Sequence, residues 1–344
     1  MGTYKEIQGY KIDSVSADPT ITQEGQIWYN TTSDALKYGG PGGWASMTAC
    51  PQANYDAMGA GSATSFVYTG GTSNAPTTPG QITQEWNGSA WATGGALAHH
   101  TYNGGACGQS STAALRMGGY TSGPVAHTAS CDLYNGTSWA SKNDMTGNAE
   151  GNMGVGTSTS AMSLGGAGGT LAQDSSQQWD GTCWTNAPTM SYGVYAIAGH
   201  GDSATSAYTS GGQPGTAPPS GPTGTAGTGM QNFNGTAWSS IGARLLRGRC
   251  RTQTGGGSTA GIIAGGQDGS PGPNTAMDSA ESWNGTSWSS IGTMGINAAS
   301  NTGSTSGSTT SHIMVGGNST TSNVGTGAAQ VYSSGSITKT VTAT

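Results

Sequence analysis

Charge is what this chain has least of. Only 8% of its 344 residues are Asp, Glu, Lys or Arg, and the formal net charge is −6. A nucleic-acid binder carries a basic excess, so no nucleic acid is expected as a partner. No stretch approaches the ~20 apolar residues that span a bilayer, so no membrane insertion is expected. The opening MGTYKEIQGYKIDSVSADPT lacks the apolar run of a secretory signal. Met1-Gly2 begins like a myristoylation site, but Glu6 stands where Ser or Thr is required. The five cysteines are odd in number and form no CxxC. That argues against a disulfide ladder or a zinc site and for small buried thiols. No nucleophile elbow, P-loop or dinucleotide fingerprint is present. No metal and no cofactor are expected.

What the chain has is glycine, 62 residues of it, with ten Trp and thirteen Tyr. Such a composition alone fits disorder; periodic placement of the aromatics argues against it. Gly-Gly recurs six times, at Gly70-Gly71, Gly118-Gly119, Gly165-Gly166, Gly211-Gly212, Gly265-Gly266 and Gly316-Gly317. A period near 50 residues marks one supersecondary unit copied around an axis. Three residues before each pair stands Val67, Leu115, Met162, Tyr208, Ile262 or Ile313, which places a strand running into the glycines. After each of the first five pairs comes an aromatic, Asn-Gly or Asp-Gly, and a Trp: Trp91, Trp139, Trp184, Trp238 and Trp288. These read as hairpins with type I′ turns, in which both central residues take φ > 0. The same strings match N-glycosylation sequons at Asn87, Asn135, Asn234 and Asn284. Asp180 keeps the turn without the sequon, which favours the turn reading.

Each repeat therefore splits into four strands. A further incomplete unit, Gly25–Ser46, stands in phase with them, Tyr38 lying 48 residues before Trp86. The alternating stretch Ile337–Thr344 is a candidate for its missing strand. The expected fold is all-β, a propeller of seven four-stranded blades over 25–344 closed by N- and C-terminal strands. Six blades plus an N-terminal hairpin module is the alternative. Residues 1–24, richer in charge, are expected to form an anchoring segment.

The repeated Gly-Gly, aromatic and Trp resemble the kelch repeat over about residues 50–337. The low charge and the Asn-Gly-Thr-Ser turn depart from many kelch repeats. Gly25-Gln-Ile-Trp-Tyr-Asn30 through Tyr38 looks like a short module near the start or end of bacteriophage tail-fibre and other virion proteins. The Tyr-Asn-Gly-Thr-Ser-Trp repeats also look like those of marine phage structural proteins. The resemblance implies a non-enzymatic virion-surface protein, made in the host cytoplasm: a tail fibre, tail tip or capsid decoration. Its expected partners are other virion proteins, through residues 1–24, and a host-surface polysaccharide. A polysaccharide-active or copper-dependent enzyme and a purely architectural virion protein are the alternatives.

In such a fold the longer connections, two-to-three and four-to-one, share a face, which is the expected binding surface. That face should carry the Gln213–Met230 insertion and Arg244, Arg247, Arg249 and Arg251, four of only ten basic residues. Arginine suits an anionic sugar, a carboxylate or a neighbouring subunit; a structural role is the competing reading. His99, His100 and His127 fall on the same face. No Cys or carboxylate accompanies them at metal-like spacing, so they read as polar loop residues.

Overall fold

The computed structural model describes residues 12–19, 26–40, 42–72, 80–121, 127–167, 174–214, 227–253, 255–268, 275–306, 309–318, 324–335 and 337–341. These form an all-β, propeller-like protein with sheets of up to five strands, mostly antiparallel, and no helix among the described residues. The chain divides into two compact units, Trp44–Val331 and a smaller one made of Met1–Gly43 with Tyr332–Thr344.

In the larger unit the repeats follow one plan. The first pairs Met58–Ser62, Ser65–Thr69, Thr83–Trp86 and Trp91–Thr93 in that order. The second to fourth repeats do the same, beginning at Gly105, Met153 and Ala198. In the fifth, Gly261–Ala264, Ser279–Trp283 and Trp288–Thr293 form a three-stranded sheet. Its short leading strand, Thr252–Gln253, pairs parallel with Asn301–Gly303 of the sixth. The sixth sheet takes its outermost strand from Gly43–Ser46, close to the start of the chain.

The double glycines lie between neighbouring repeats. All twelve have φ between 61° and 109°, a region that L side chains rarely adopt. Each second glycine donates its N–H to a carbonyl of the next repeat: Gly71 to Thr101, Gly119 to Ala149, Gly166 to Val194, Gly212 to Arg249, Gly266 to Ala298, and Gly317 to Asn54. The last bond runs from the sixth repeat back to the first. A Cβ on Gly211 would stand 2.5 Å from the Arg249 carbonyl, so close approach as well as conformation demands glycine.

The Asn-Gly hairpins differ from the expected type I′ turn. Only the glycine has φ > 0, about 90° to 95° at Gly88, Gly136, Gly181, Gly235 and Gly285. The type I′ turn, which needs φ > 0 at both central residues, is therefore not formed. The Asn acts through its side chain instead. Asn87 Oδ1 accepts from the Ser89 and Ala90 N–H groups at 3.0 and 2.9 Å, and Asp180 Oδ1 does the same for Thr182 and Cys183. An acceptor oxygen is the requirement, which Asn and Asp both meet.

Aromatic pairs flank each turn and fill the core. Trp179–Trp184 and Trp283–Trp288 have ring centroids 5.4 and 5.6 Å apart. The hairpin Trp then reaches the repeat before it. Trp139 Nε1 donates to Thr83 Oγ1, Trp238 Nε1 to Ser176 Oγ, and Trp288 Nε1 to Met230 Sδ. Four cysteines, Cys50, Cys107, Cys131 and Cys250, are buried free thiols and Cys183 is half-buried.

The smaller unit has one sheet. Asp13–Val15 pairs parallel with Ile27–Asn30, which forms a hairpin with Ala35–Gly40. Ile337–Thr340 pairs antiparallel with Ala35–Gly40. The C-terminal strand thus joins the N-terminal unit, but beside Ala35–Gly40; the first-strand place expected for it, beside Ile27–Asn30, is taken by Asp13–Val15. Gly43–Ser46 does not join that unit: it was read with Tyr38 as one hairpin and goes instead to the sixth repeat. The reason is register. Ala35–Gly40 is already paired on both sides, and the outer edge of Ala329–Ser333 is open to Gly43–Ser46. The N-terminal sheet and the first five repeat sheets therefore fall in different compact units.

Inside the smaller unit Asp18 accepts from Lys37 Nζ, Trp28 Nε1 and Asn30 Nδ2 at 2.8, 3.0 and 2.7 Å. The Lys37 bond, followed by those from Trp28 and Asn30, holds its carboxyl down at about 2. Most of the expected 1–24 anchoring segment lies outside the described residues.

Candidate functional site at the axis of the repeats

One residue per repeat, just before its first strand, sits in the left-handed region: Asp56, Asn103, Gly151, Ala196, Arg251 and Ser300, with φ from 51° to 60°. Each donates its N–H to the carbonyl of the one before. The bonds are Asn103 to Asp56, Gly151 to Asn103, Ala196 to Gly151, Arg251 to Ala196, Ser300 to Arg251 and Asp56 to Ser300, at 2.6 to 3.0 Å. The six bonds close a ring. Five of its members are non-glycine, and only Asp34 elsewhere among the described non-glycine residues has φ > 0. Such a conformation costs on the order of 1–2 kcal/mol for Ala, Arg or Ser and less for Asn or Asp. Concentrated strain of this kind is held in place by its surroundings and clusters at functional sites.

The ring surrounds a hollow of about 10 Å³, lined by Asp56, Asn103, Arg251, Gln253, Ser300 and their neighbours. Gln253 closes it. From the fifth repeat its Nε2 reaches across to the Gly104 carbonyl of the second, at 2.6 Å. Gln253 Oε1 is buried with no hydrogen-bond partner. The hollow holds about one water molecule, against the roughly 300 Å³ or more of a small-molecule pocket.

Flanking this floor is a polar and aromatic cluster, here called the dish. Burial raises the Asp56 carboxyl; a Ser300 hydrogen bond and the Arg251 charge oppose it. Burial likewise raises Glu150, opposed by His127 and Arg251 and reinforced by Asp56. His127 Nδ1 stands 3.6 Å from Glu150 Oε2 and meets Tyr120 edge-on at 5.3 Å. Tyr120 pairs with Tyr102 at 5.1 Å. Burial first, then Tyr120 and Glu150, push the Tyr102 hydroxyl to about 12.

The expected site residues separate into two groups. Arg251 and His127 belong to the dish. Arg249 does not bind from the surface: it is fully buried, ion-paired to Glu281 at 2.6 Å, and donates to the Gly265 and Ser279 carbonyls. Arg247 is half-exposed and holds Asp268 at 2.9 Å. Arg244, His99 and His100 are exposed and outside the lining of the axial hollow. Among the described residues no three His, Cys, Asp or Glu side chains gather as a metal site would require. The Gln213–Met230 insertion lies mostly outside the described residues.

Two sets of residues, Arg251 excepted, were not singled out as a site. The ring residues share no side-chain type, so no repeat signal exposed them. Their common phase, 14 to 16 residues before each Gly-Gly pair, was the available clue. The other set is Gln84, Asp132, Gln177, Gln231, Glu281 and Gln330, each two residues before a hairpin aromatic and each buried. Four of them accept a backbone N–H from the connection that enters their own repeat: Gln177 from Thr146, Gln231 from Tyr192, Glu281 from Leu246 and Gln330 from Gly295.

No family model and no curated protein matches the chain. Among solved structures it is similar to that of YjhT, with a TM-score of 0.64 and 12% identity, covering 85% of this chain and 99% of that one. At that identity the likeness concerns the fold alone.

Proposed function

We propose that this chain is a non-enzymatic bacteriophage virion-surface protein that adheres to a host-surface glycan. The repeats form a six-bladed, kelch-like propeller, and the N-terminal sheet is a separate element that docks on other virion proteins. The observation that carries the adhesive role is the dish: charged, amide and tyrosine side chains converge on the face of the long connections, over an axis filled by Gln253. The virion assignment is supported by the resemblance of residues 25–38 and of the Tyr-Asn-Gly-Thr-Ser-Trp turns to phage structural proteins.

The test begins with purified particles, by mass spectrometry and immunogold labelling. Label at tail tips or fibres, with the isolated protein blocking adsorption to host cells, is the expected result. Absence from particles would overturn the virion role. Removing residues 1–24 is expected to leave a folded propeller that no longer joins particles. A second reading, glycan hydrolysis, draws on Asp56 and Glu150, two neighbouring carboxyls of which one would have to stay ionised while the other gives its proton. Turnover of host polysaccharide, abolished by Glu150→Gln, would establish it in place of simple adhesion.

A further inference from the structure

We infer that the axial dish binds an uncharged saccharide, its hydroxyls shared between Arg251 and the carboxylates of Asp56 and Glu150, with one sugar face against Tyr102 and Tyr120. This rests on the adhesive reading above and names its ligand class.

Three observations carry it. First, Arg251 stands apart from three other arginines. Arg116, Arg247 and Arg249 each hold a carboxylate within 4 Å. Arg251 is exposed and has no such ion pair among the described residues, although Asp56 and Glu150 both feel its charge. Opposite charges close enough to interact and too far apart to touch leave a gap. A hydroxyl, donor and acceptor at once, bridges it.

Second, the charges are mixed. An anionic ligand on Arg251 meets Asp56 and Glu150, and a cationic ligand on the carboxylates meets Arg251. A neutral ring of hydroxyls satisfies both signs without repulsion. Asn103 and Ser300 on the ring add further donors and acceptors.

Third, the aromatic edge is placed for stacking. Tyr102, Tyr120 and His127 form a continuous run on the two long connections of the second repeat. Each is half-buried, so each has surface left to cover. The backbone strain at Asp56 and Arg251 fits the same picture, since φ > 0 at these residues is held by the ring and both line the same hollow.

The probes are methyl glucoside, methyl galactoside and methyl mannoside, compared with glucuronate and glucosamine, read by saturation-transfer NMR on the full chain. At least one neutral glycoside should bind, with both charged sugars weaker by about tenfold or more. The variants are Arg251→Gly and Asp56→Asn, because Gly and Asn accept φ > 0 and leave the ring intact; an unchanged melting temperature checks this. Each should weaken neutral-sugar binding by about tenfold, the size of one lost charged hydrogen bond. Equal or tighter binding of glucuronate or glucosamine overturns the inference. So does a variant that folds and binds as before, or no binding of any of the five. Host-cell adsorption separates the two levels. If Arg251→Gly still blocks adsorption, adhesion stands and the dish is not its site; if the unaltered protein fails to block it, the adhesive reading itself falls.

Discussion

Arg116 and Arg249 leave the backbone in different places and arrive at equivalent ones. Arg116 lies on the second strand of its repeat, and Arg249 on the connection before the first. Each guanidinium donates to the carbonyl of the first glycine of its Gly-Gly pair, Gly118 or Gly265, and to the acid two residues before the hairpin aromatic, Asp132 or Glu281. The other four repeats carry Gln at that position. A buried acid needs a buried cation, whereas a buried amide does not. Arg249→Met should therefore cost about 3–5 kcal/mol, because it strands Glu281. Adding Glu281→Gln should recover most of that loss. Chemical denaturation of the single and double variants measures both; equal losses would remove the pairing argument. The arginines were visible in the sequence as a basic cluster, but their roles were not. Linear spacing does not tell which of Arg247, Arg249 and Arg251 points inward.

His312 is fully buried, at the position that Phe66 fills in the first repeat. Its two ring nitrogens are buried without hydrogen-bond partners, and it meets Trp44 edge-on at 6.2 Å. Burial drives its pKa from 6.5 down to about 3, and His200 behaves alike. The folded value lies below the unfolded one, so the unfolded chain takes up the proton first. Stability is then full above about 6.5 and falls as pH drops toward 3. His312→Phe should stabilise the protein by about 1–2 kcal/mol, the cost of an unmade buried hydrogen bond. It should also flatten the melting temperature between those pH values. An unchanged slope would show that His312 does not titrate on unfolding.

At the scale of the element, the turns were the most legible part. Asn-Gly fixed the hairpins because few residues accept the local geometry. Gly-Gly fixed the strand ends for the same reason, though its partner carbonyl in the next repeat was invisible without the fold. Gly211→Ala places a methyl 2.5 Å from the Arg249 carbonyl at a φ of +69°. It should cost about 3 kcal/mol or more, combining steric strain with the displaced Gly212 hydrogen bond. Gly242→Ala, with nothing within 4 Å of the new methyl, should be near neutral. Paired thermal melts check the contrast. The ring of left-handed residues was illegible for the opposite reason: the backbone there is held by neighbouring repeats, so side chains as unlike as Asp, Ala and Arg occupy equivalent positions.

At the scale of the molecule, the two compact units should respond differently to acid. Asp18 ties the smaller unit together and titrates at about 2 when folded, against an ordinary 3.8. A depressed carboxyl gives stability that is present above the unfolded value and lost as pH falls through the folded one. Between about pH 4 and 2 the surroundings of Trp28, which donates to Asp18, should loosen. Asp18→Asn should show that change in Trp28 fluorescence already at neutral pH. The period near 50 was enough to read a circular array of repeats. It did not distinguish an N-terminal unit in phase with the repeats from a member of them, because phase records spacing and not strand pairing.

The six-bond ring at the axis has a consequence for how such a chain changes in number. In an open stack, a repeat added or lost at an end leaves every remaining junction as it was. Here the bond from Asp56 to Ser300 and the bond from Gly317 to Asn54 make the first and last repeats neighbours. Removing one repeat leaves two surfaces that no longer meet at the same angle, and adding one opens the circle. A change in repeat number in this chain would therefore disturb the junction of first and last repeats as well as the point at which the repeat is lost or gained.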